Sequence, residues 1–349
     1  MAYGCGKSSD SPTKETPSPT GGGTVVEHRP ASIGIIGDAT NSVKPTTGGV
    51  VLMGGSTDVS SAFRWMIGKS GGGDAVVIRA SGTDAYNNYI NGLGTLNSVE
   101  TLLINNRDLA NNDTVANIIR NAELVFIAGG DQSDYMRYWK GTKVETALNY
   151  LLKEKKAPVG GTSAGCAILG GFYYSGETGG LTSAEALENP YNTNVTLYKK
   201  DFLQVPFLEN VITDQHYLAR NREGRSLVFL GRILKDWNIE AQAIAVDERV
   251  AVCIDQNGFA KVYGDYSATR PFSYAYFIKA DKNKQPEVFT ANNKVTWDLQ
   301  EKALDVYEIV AREDGNGEFN VLTFDINTGK DGQRFWWSIS NGVVVKKSY

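Results

Sequence analysis

The sequence is poor in the residues on which most catalytic mechanisms depend. It holds two histidines in 349 residues, His28 and His216. A histidine-rich zinc site is therefore excluded, and a proton shuttle at neutral pH has few candidates. Three cysteines, Cys5, Cys166 and Cys253, cannot make a disulfide framework, and none stands in a CxxC pair. No metal and no cofactor is expected. No apolar run approaches the roughly 18 residues of a membrane-spanning helix. Cationic charge is not in excess: 35 Lys and Arg against 39 Asp and Glu give a net charge of −4, which argues against nucleic acid as a partner.

What is present is a chain with 41% hydrophobic residues, enough for one large or two modest domains with a sizeable core. Residues 6–24 are Ser, Thr, Pro, Gly and Lys-rich and contain no hydrophobic side chain. Such a composition cannot offset the entropy of ordering, so residues 1–30 read as a flexible polar tether. Cys5 at its start resembles the lipidated cysteine of a bacterial lipoprotein. The tether would then hold the folded body outside the cytoplasm, in the periplasm or at the cell surface. An incidental terminal cysteine in a cytoplasmic protein is the plainer alternative.

From Ile33 to about Gly264, short apolar runs alternate with amphipathic stretches, as βαβ units require. Residues 31–264 are thus expected to form an α/β domain with a mostly parallel sheet and helices on both faces. The predicted strands are Val50–Met53, Ala75–Arg79, Thr101–Ile104, Leu124–Ala128, Pro158–Gly161, Val211–Asp214 and Ala243–Val246. Helical apolar spacing appears over Val59–Ile67, Thr114–Asn121 and Val144–Lys155. Residues 265–349 change character, with alternating aromatic and β-branched residues over Tyr274–Ile278 and Phe335–Ile339. They predict a small β-rich C-terminal module whose aromatics serve as core more simply than as a ligand platform.

Two segments match the Gly-x-Ser-x-Gly pattern of a nucleophile elbow, Gly68-Lys69-Ser70-Gly71-Gly72 and Gly161-Thr162-Ser163-Ala164-Gly165. Ser70 follows a predicted helix and precedes a strand, the reverse of the elbow order, so its glycines read as a helix stop and turn. Nor is it a phosphate loop, because Phe63 stands where that motif needs its first glycine. Ser163 follows a strand and opens an apolar stretch, the order an exposed nucleophile requires. The elbow would aim the Ala164 amide at the reacting carbonyl oxygen. Cys166, one turn on beside Ile168 and Leu169, reads as a buried structural thiol.

A serine needs a base, and His216 is the histidine available to the body of the chain. It follows the apolar run Asn210–Thr213 and so sits at a strand end, where catalytic groups of open α/β sheets collect. A third residue should orient the imidazole. Glu248 and Asp247 both follow the strand Ala243–Val246, and since neighbours point to opposite faces, either one could serve.

Together, Gly129-Gly130-Asp131-Gln132, Gly161-Thr162-Ser163-Ala164-Gly165, Asp214-Gln215-His216 with Arg220, Arg222 and Arg225 behind it, and Asp247-Glu248 resemble the cyanophycinase branch of the peptidase E family. The resemblance implies a flavodoxin-like sheet related to class I glutamine amidotransferases and a triad of Ser163, His216 and Glu248. It also implies an oxyanion site at Gly130 and Ala164. Asp131 and Gln132 would line the substrate cleft, with Asp214, Arg220, Arg222 and Arg225 around the released dipeptide. The implied substrate is cyanophycin, a poly-aspartate bearing arginine on its side-chain carboxylates, or a related Asp/Arg polymer, cut to β-aspartyl-arginine. An aspartyl dipeptidase, or a non-catalytic surface lipoprotein binding peptide or glycan, are the alternatives. Relatives that pair make a homodimer the expected assembly.

Overall fold

The computed structural model describes residues 29–264 and 273–349. The tether through residue 28, Cys5 within it and the expected boundary after residue 264 lie outside the described residues. Seventeen strands are described. The first nine are β1 (Ser32–Gly37), β2 (Gly49–Met53), β3 (Asp74–Arg79), β4 (Ser98–Leu103), β5 (Leu124–Ile127), β6 (Pro158–Thr162), β7 (Phe172–Tyr174), β8 (Leu197–Lys199) and β9 (Val211–Asp214). They continue with β10 (Gln242–Val246), β11 (Val250–Asp255), β12 (Phe259–Gly264), β13 (Tyr274–Ala280), β14 (Leu304–Val310), β15 (Asn316–Asn320), β16 (Gln333–Ser340) and β17 (Val343–Ser348).

These strands form two sheets. One runs β1-β4-β3-β5-β6-β2-β11-β12-β15 and the other β17-β16-β14-β13-β10-β9-β7-β8. The parallel part of the first sheet is the run β4-β3-β5-β6-β2. Its strands are buried on both faces and therefore read as continuous apolar runs, such as Val50–Met53 and Leu124–Ile127. The sheets are mixed, however, rather than mostly parallel. After the helix Glu223–Trp237 and β10, the described strands are joined without α-helical crossovers and pair antiparallel. The C-terminal β-rich region extends both sheets: β13 pairs with β10, and β15 with β12.

Three apolar layers hold the sheets. Residues on one face of β2, β3 and β5 pack under the helices Asp113–Asn121 and Lys143–Tyr150 and reach Ile244, Phe277 and Phe319 from the later strands. On the other face, Val51, Val77 and Phe126 meet Phe63 and Met66 of the helix Ser60–Lys69. The helix Glu223–Trp237 buries Leu227, Leu230 and Leu234 against Ala243, Tyr276 and Trp337. The stretch 176–200, longer and more polar than a minimal linker would need, is an ordered flap. Its helix Ser183–Glu188 opens with a capping box, Thr182 and Glu185 exchanging hydrogen bonds, and β8 closes it against β7. Among the described residues no helix is long and apolar enough to cross a membrane.

Candidate active site

Ser163 stands at the carboxyl end of β6, between Thr162 and the short helix Ala164–Ala167. Its backbone is at φ +52° and ψ −116°, a conformation that L-residues avoid and that surrounding contacts must enforce. The flanking glycines make this turn sterically feasible. A Cβ on Gly161 would lie 2.5 Å from the Gly165 carbonyl carbon, and one on Gly165 would lie 2.2 Å from the Ile127 carbonyl oxygen. The Ser163 N–H donates to the Met53 carbonyl at 3.1 Å, which ties the elbow to the end of β2.

His216 follows β9 by two residues, is almost fully buried, and lies with its Nε2 2.8 Å from Ser163 Oγ. Its Nδ1 is 2.6 Å from Glu248 Oε1. With Nδ1–H donating to that carboxylate, Nε2 is left to accept the serine hydroxyl. Burial pushes the imidazole pKa below its usual value; Glu248 opposes this, while Arg220 and Arg222 add to it. The ring is therefore a neutral acceptor at neutral pH, as a general base must be.

The two acids point to different partners. Glu248 reaches His216, whereas Asp247 is 0% exposed and turns the other way, its Oδ1 accepting the Ala219 N–H at 3.1 Å. Burial raises the Asp247 carboxyl. One residue thus holds the ring and its neighbour holds the turn that follows it. Cys166 is fully buried and burial pushes its thiol far up, so it offers no thiolate.

Sequence reasoning missed Gly54-Gly55, which join these parts. The Gly54 carbonyl accepts the His216 N–H at 2.8 Å, and the Gly55 carbonyl accepts the Arg249 N–H at 3.0 Å. Gly55 has φ +99°, and a Cβ there would fall 2.4 Å from His216 Cε1. The signal was available: a Gly-Gly pair directly after a buried strand in a sheet whose ligands gather at strand ends.

The other expected site residues fall into three groups. Gly129 backs the serine, a Cβ there lying 3.4 Å from Ser163 Cβ, and Gly130 abuts Tyr135. Ala164 opens its helix, so its N–H is one of the first-turn donors without an intrahelical partner. Asp131 caps the helix Gln132–Trp139 through the Ser133 N–H, and the Gln132 amide reaches Gly176 on the flap. Arg220 is exposed on the turn after His216. Arg222 donates to the Gln215 carbonyl at 2.9 Å and to the Gln215 side chain.

Asp214 and Arg225 occupy each other. Arg225 grips both Asp214 oxygens, Nε to Oδ2 at 3.0 Å, and Ser226 donates to the same carboxylate at 2.5 Å. Both residues are at most 3% exposed. Burial alone would raise the Asp214 carboxyl, but the Arg225 and Arg222 guanidiniums and the Ser226 hydroxyl together outweigh it and hold the pKa below the ordinary value. Gln215, between Asp214 and His216, accepts from Arg222 and, at 3.5 Å, from Arg225. This second missed residue links the arginine pair to the base. Among the described residues no cluster of His, Cys, Asp and Glu could hold a metal.

Known proteins resemble this chain over its α/β part. A cyanophycinase from Synechococcus elongatus is 24% identical over 208 residues, 58% of this chain and 59% of the relative. One from Trichormus variabilis is 26% identical over 171 residues, 49% of this chain and 52% of the relative. The chain therefore spans less than two thirds of the length of either. The crystal structure of a peptidase from an acI-B1 Actinobacterium superposes with a TM-score of 0.47 at 16% identity, covering 66% of this chain and 91% of that one. The model of peptidase family S51 matches residues 51–262, more than half of the sequence and the span that carries all three linked residues. The chain belongs to peptidase family S51.

Proposed function

We propose that this protein is a serine peptidase of the cyanophycinase kind, releasing β-aspartyl-arginine dipeptides from cyanophycin or a related Asp/Arg polymer. The observation that carries this reading is the unbroken Ser163–His216–Glu248 relay, with contacts of 2.8 and 2.6 Å. Ser163 Oγ attacks the scissile carbonyl carbon while its proton passes to His216 Nε2, and Glu248 stabilises the resulting imidazolium. The oxyanion is met by the Ala164 N–H and by backbone at Gly130. The imidazolium then protonates the leaving amine, and water repeats the sequence to release the acyl group. Arg222, hydrogen-bonded to Gln215 and only 3.8 Å from the Asp214 carboxylate that Arg225 already grips, retains donors for a substrate carboxylate, with Arg220 on the exposed turn. The buried Asp214–Arg225 pair lies against Arg222 and helps position it.

Incubation with cyanophycin and with a panel of aspartyl dipeptides, followed by mass spectrometry, tests the reading. β-Aspartyl-arginine from the polymer is expected. Cleavage of dipeptides alone would replace the substrate and keep the mechanism. No turnover of any peptide would favour a binding lipoprotein. Cys5 and the polar tether support work outside the cytoplasm, which fractionation of native cells would check.

A further inference from the structure

The catalytic residues gather at the carboxyl end of β6. At the other end of the same sheet, where β2 and β6 begin, the fold leaves a cleft of about 830 Å³. That volume lies in the range of small-molecule sites. Its lining is largely apolar: Val50, Leu152, Leu203 and Val205 are buried, and Phe207 is packed against them. Around this lining stand Lys153, Lys156 and Lys200.

None of these three lysines forms an ion pair among the described residues. Lys153 donates to the Gln204 side-chain carbonyl at 2.7 Å and Lys200 to that of Asn210 at 2.8 Å. Two acids also line the cleft, Glu209 and Asp255. Asp255 is already engaged, its Oδ1 accepting the Asn257 and Phe259 N–H groups of a tight turn. The lining thus pairs a largely apolar surface with three ammonium groups, two of them on neutral amide partners, against one carboxylate, Glu209, that no turn engages.

The backbone around it is unusual. The helix Lys143–Tyr150 passes into a π-helical turn, Leu151–Lys155, a form that is rare and that recurs at functional sites. Lys156, Lys200 and Phe207 all have positive φ, at +55°, +52° and +68°. Lys156 is the left-handed cap that ends the π-helical turn.

We propose that this cleft is a second ligand site, separate from the catalytic one, that takes an elongated apolar acid. The apolar body lies along Val50, Leu203 and Phe207, and the anionic head lies among Lys153, Lys156 and Lys200. A neutral apolar molecule would leave the ammonium groups unused, and a cationic one would be repelled by them. The inference does not depend on the reading of Ser163.

Laurate is the probe, titrated calorimetrically into the full chain and into Ser163→Ala, with dodecanol and dodecyltrimethylammonium as the neutral and cationic counterparts. One equivalent of laurate is expected to bind both proteins, with dodecanol weaker and the cation not binding. In Lys153→Glu/Lys156→Glu/Lys200→Glu, whose changes are all at exposed positions, laurate should weaken by about tenfold or more with an unchanged melting curve. Should the triple variant melt early, Lys200→Ala alone should weaken laurate about threefold. Absence of laurate binding, equal binding of all three probes, or full affinity in the charge-reversed variant would overturn the proposal. So would competition between laurate and an aspartyl peptide, which would put the ligand in the catalytic cleft.

Discussion

Two Gly-x-Ser-x-Gly segments lie at opposite ends of the first sheet and have opposite fates. Ser163 ends β6, with a strained backbone and its hydroxyl on an imidazole. Ser70 ends the helix Ser60–Lys69 just before β3; it is fully buried and its hydroxyl donates to the Ile67 carbonyl at 2.8 Å. The glycines after Ser70 have φ of +63° and +77° and simply reverse the chain. Those around Ser163 keep ordinary dihedrals and instead let backbone approach backbone within a Cβ's radius. The same five-letter pattern therefore serves conformational freedom at one end and close approach at the other. Which of the two it serves depends on whether strand or helix comes first.

The largest test of this contrast is the pair of serine-to-alanine changes. Ser163→Ala should lower kcat by about 10³-fold or more with the melting temperature nearly unchanged. Ser70→Ala should leave kcat alone and cost about 1 kcal/mol of stability, the worth of one buried hydrogen bond. An active Ser163→Ala protein would remove the catalytic assignment.

The next effect separates the two acids after β10. Glu248→Gln should cost about 10²- to 10⁴-fold in kcat, because the amide no longer stabilises an imidazolium. Asp247→Asn should cost less than about tenfold, since the amide oxygen can still accept the Ala219 N–H. In the unmodified enzyme kcat/KM should rise with pH as His216 loses its proton. Because burial lowers that pKa, the midpoint should lie below the ordinary 6.5. The same depression means that the unfolded chain binds more protons over that interval, so stability should also rise with pH there. A midpoint above 6.5 would show that Glu248 outweighs burial.

Gly55→Ala should come third. Its methyl would strike the His216 ring and displace it from Ser163. A shift near 1 Å costs about 10²-fold in rate, well beyond what any loss of folded protein explains. Wild-type kcat in that variant would mean that the ring has room to move.

Much of this site could be read from the sequence because it depends on local order. A strand, a glycine, a serine and an apolar helix start are contiguous, and scarcity alone points to His216. The parallel strands were legible as uninterrupted apolar runs such as Leu124–Ile127, since both faces are covered. What was missed rests on contacts between distant segments. Gly54-Gly55 acquire their role from the His216 and Arg249 amides, roughly 160 and 195 positions away. Asp214 and Arg225 read as substrate ligands until the fold shows that they satisfy each other. The antiparallel half of the sheets was missed for a related reason: alternation marks a strand but does not name its neighbour.

The smallest expected effect is also the sharpest discriminator between the two glycine patterns. Gly68 lies inside the helix Ser60–Lys69, at negative φ, and nothing would stand within 4 Å of a Cβ built on it. It therefore contributes neither turn geometry nor close approach, only the extra chain entropy that folding must overcome. Gly68→Ala should stabilise the protein by about 0.5–1 kcal/mol, the ordinary helix-interior difference, and leave kcat unchanged. Gly161→Ala, at the matching position of the elbow, should destabilise the protein and abolish activity, because its methyl meets the Gly165 backbone at 2.5 Å. If thermal melts instead showed Gly68→Ala to be destabilising by more than about 1 kcal/mol, the first glycine of the decoy would carry a packing role of its own. The two patterns would then differ in degree, not in kind.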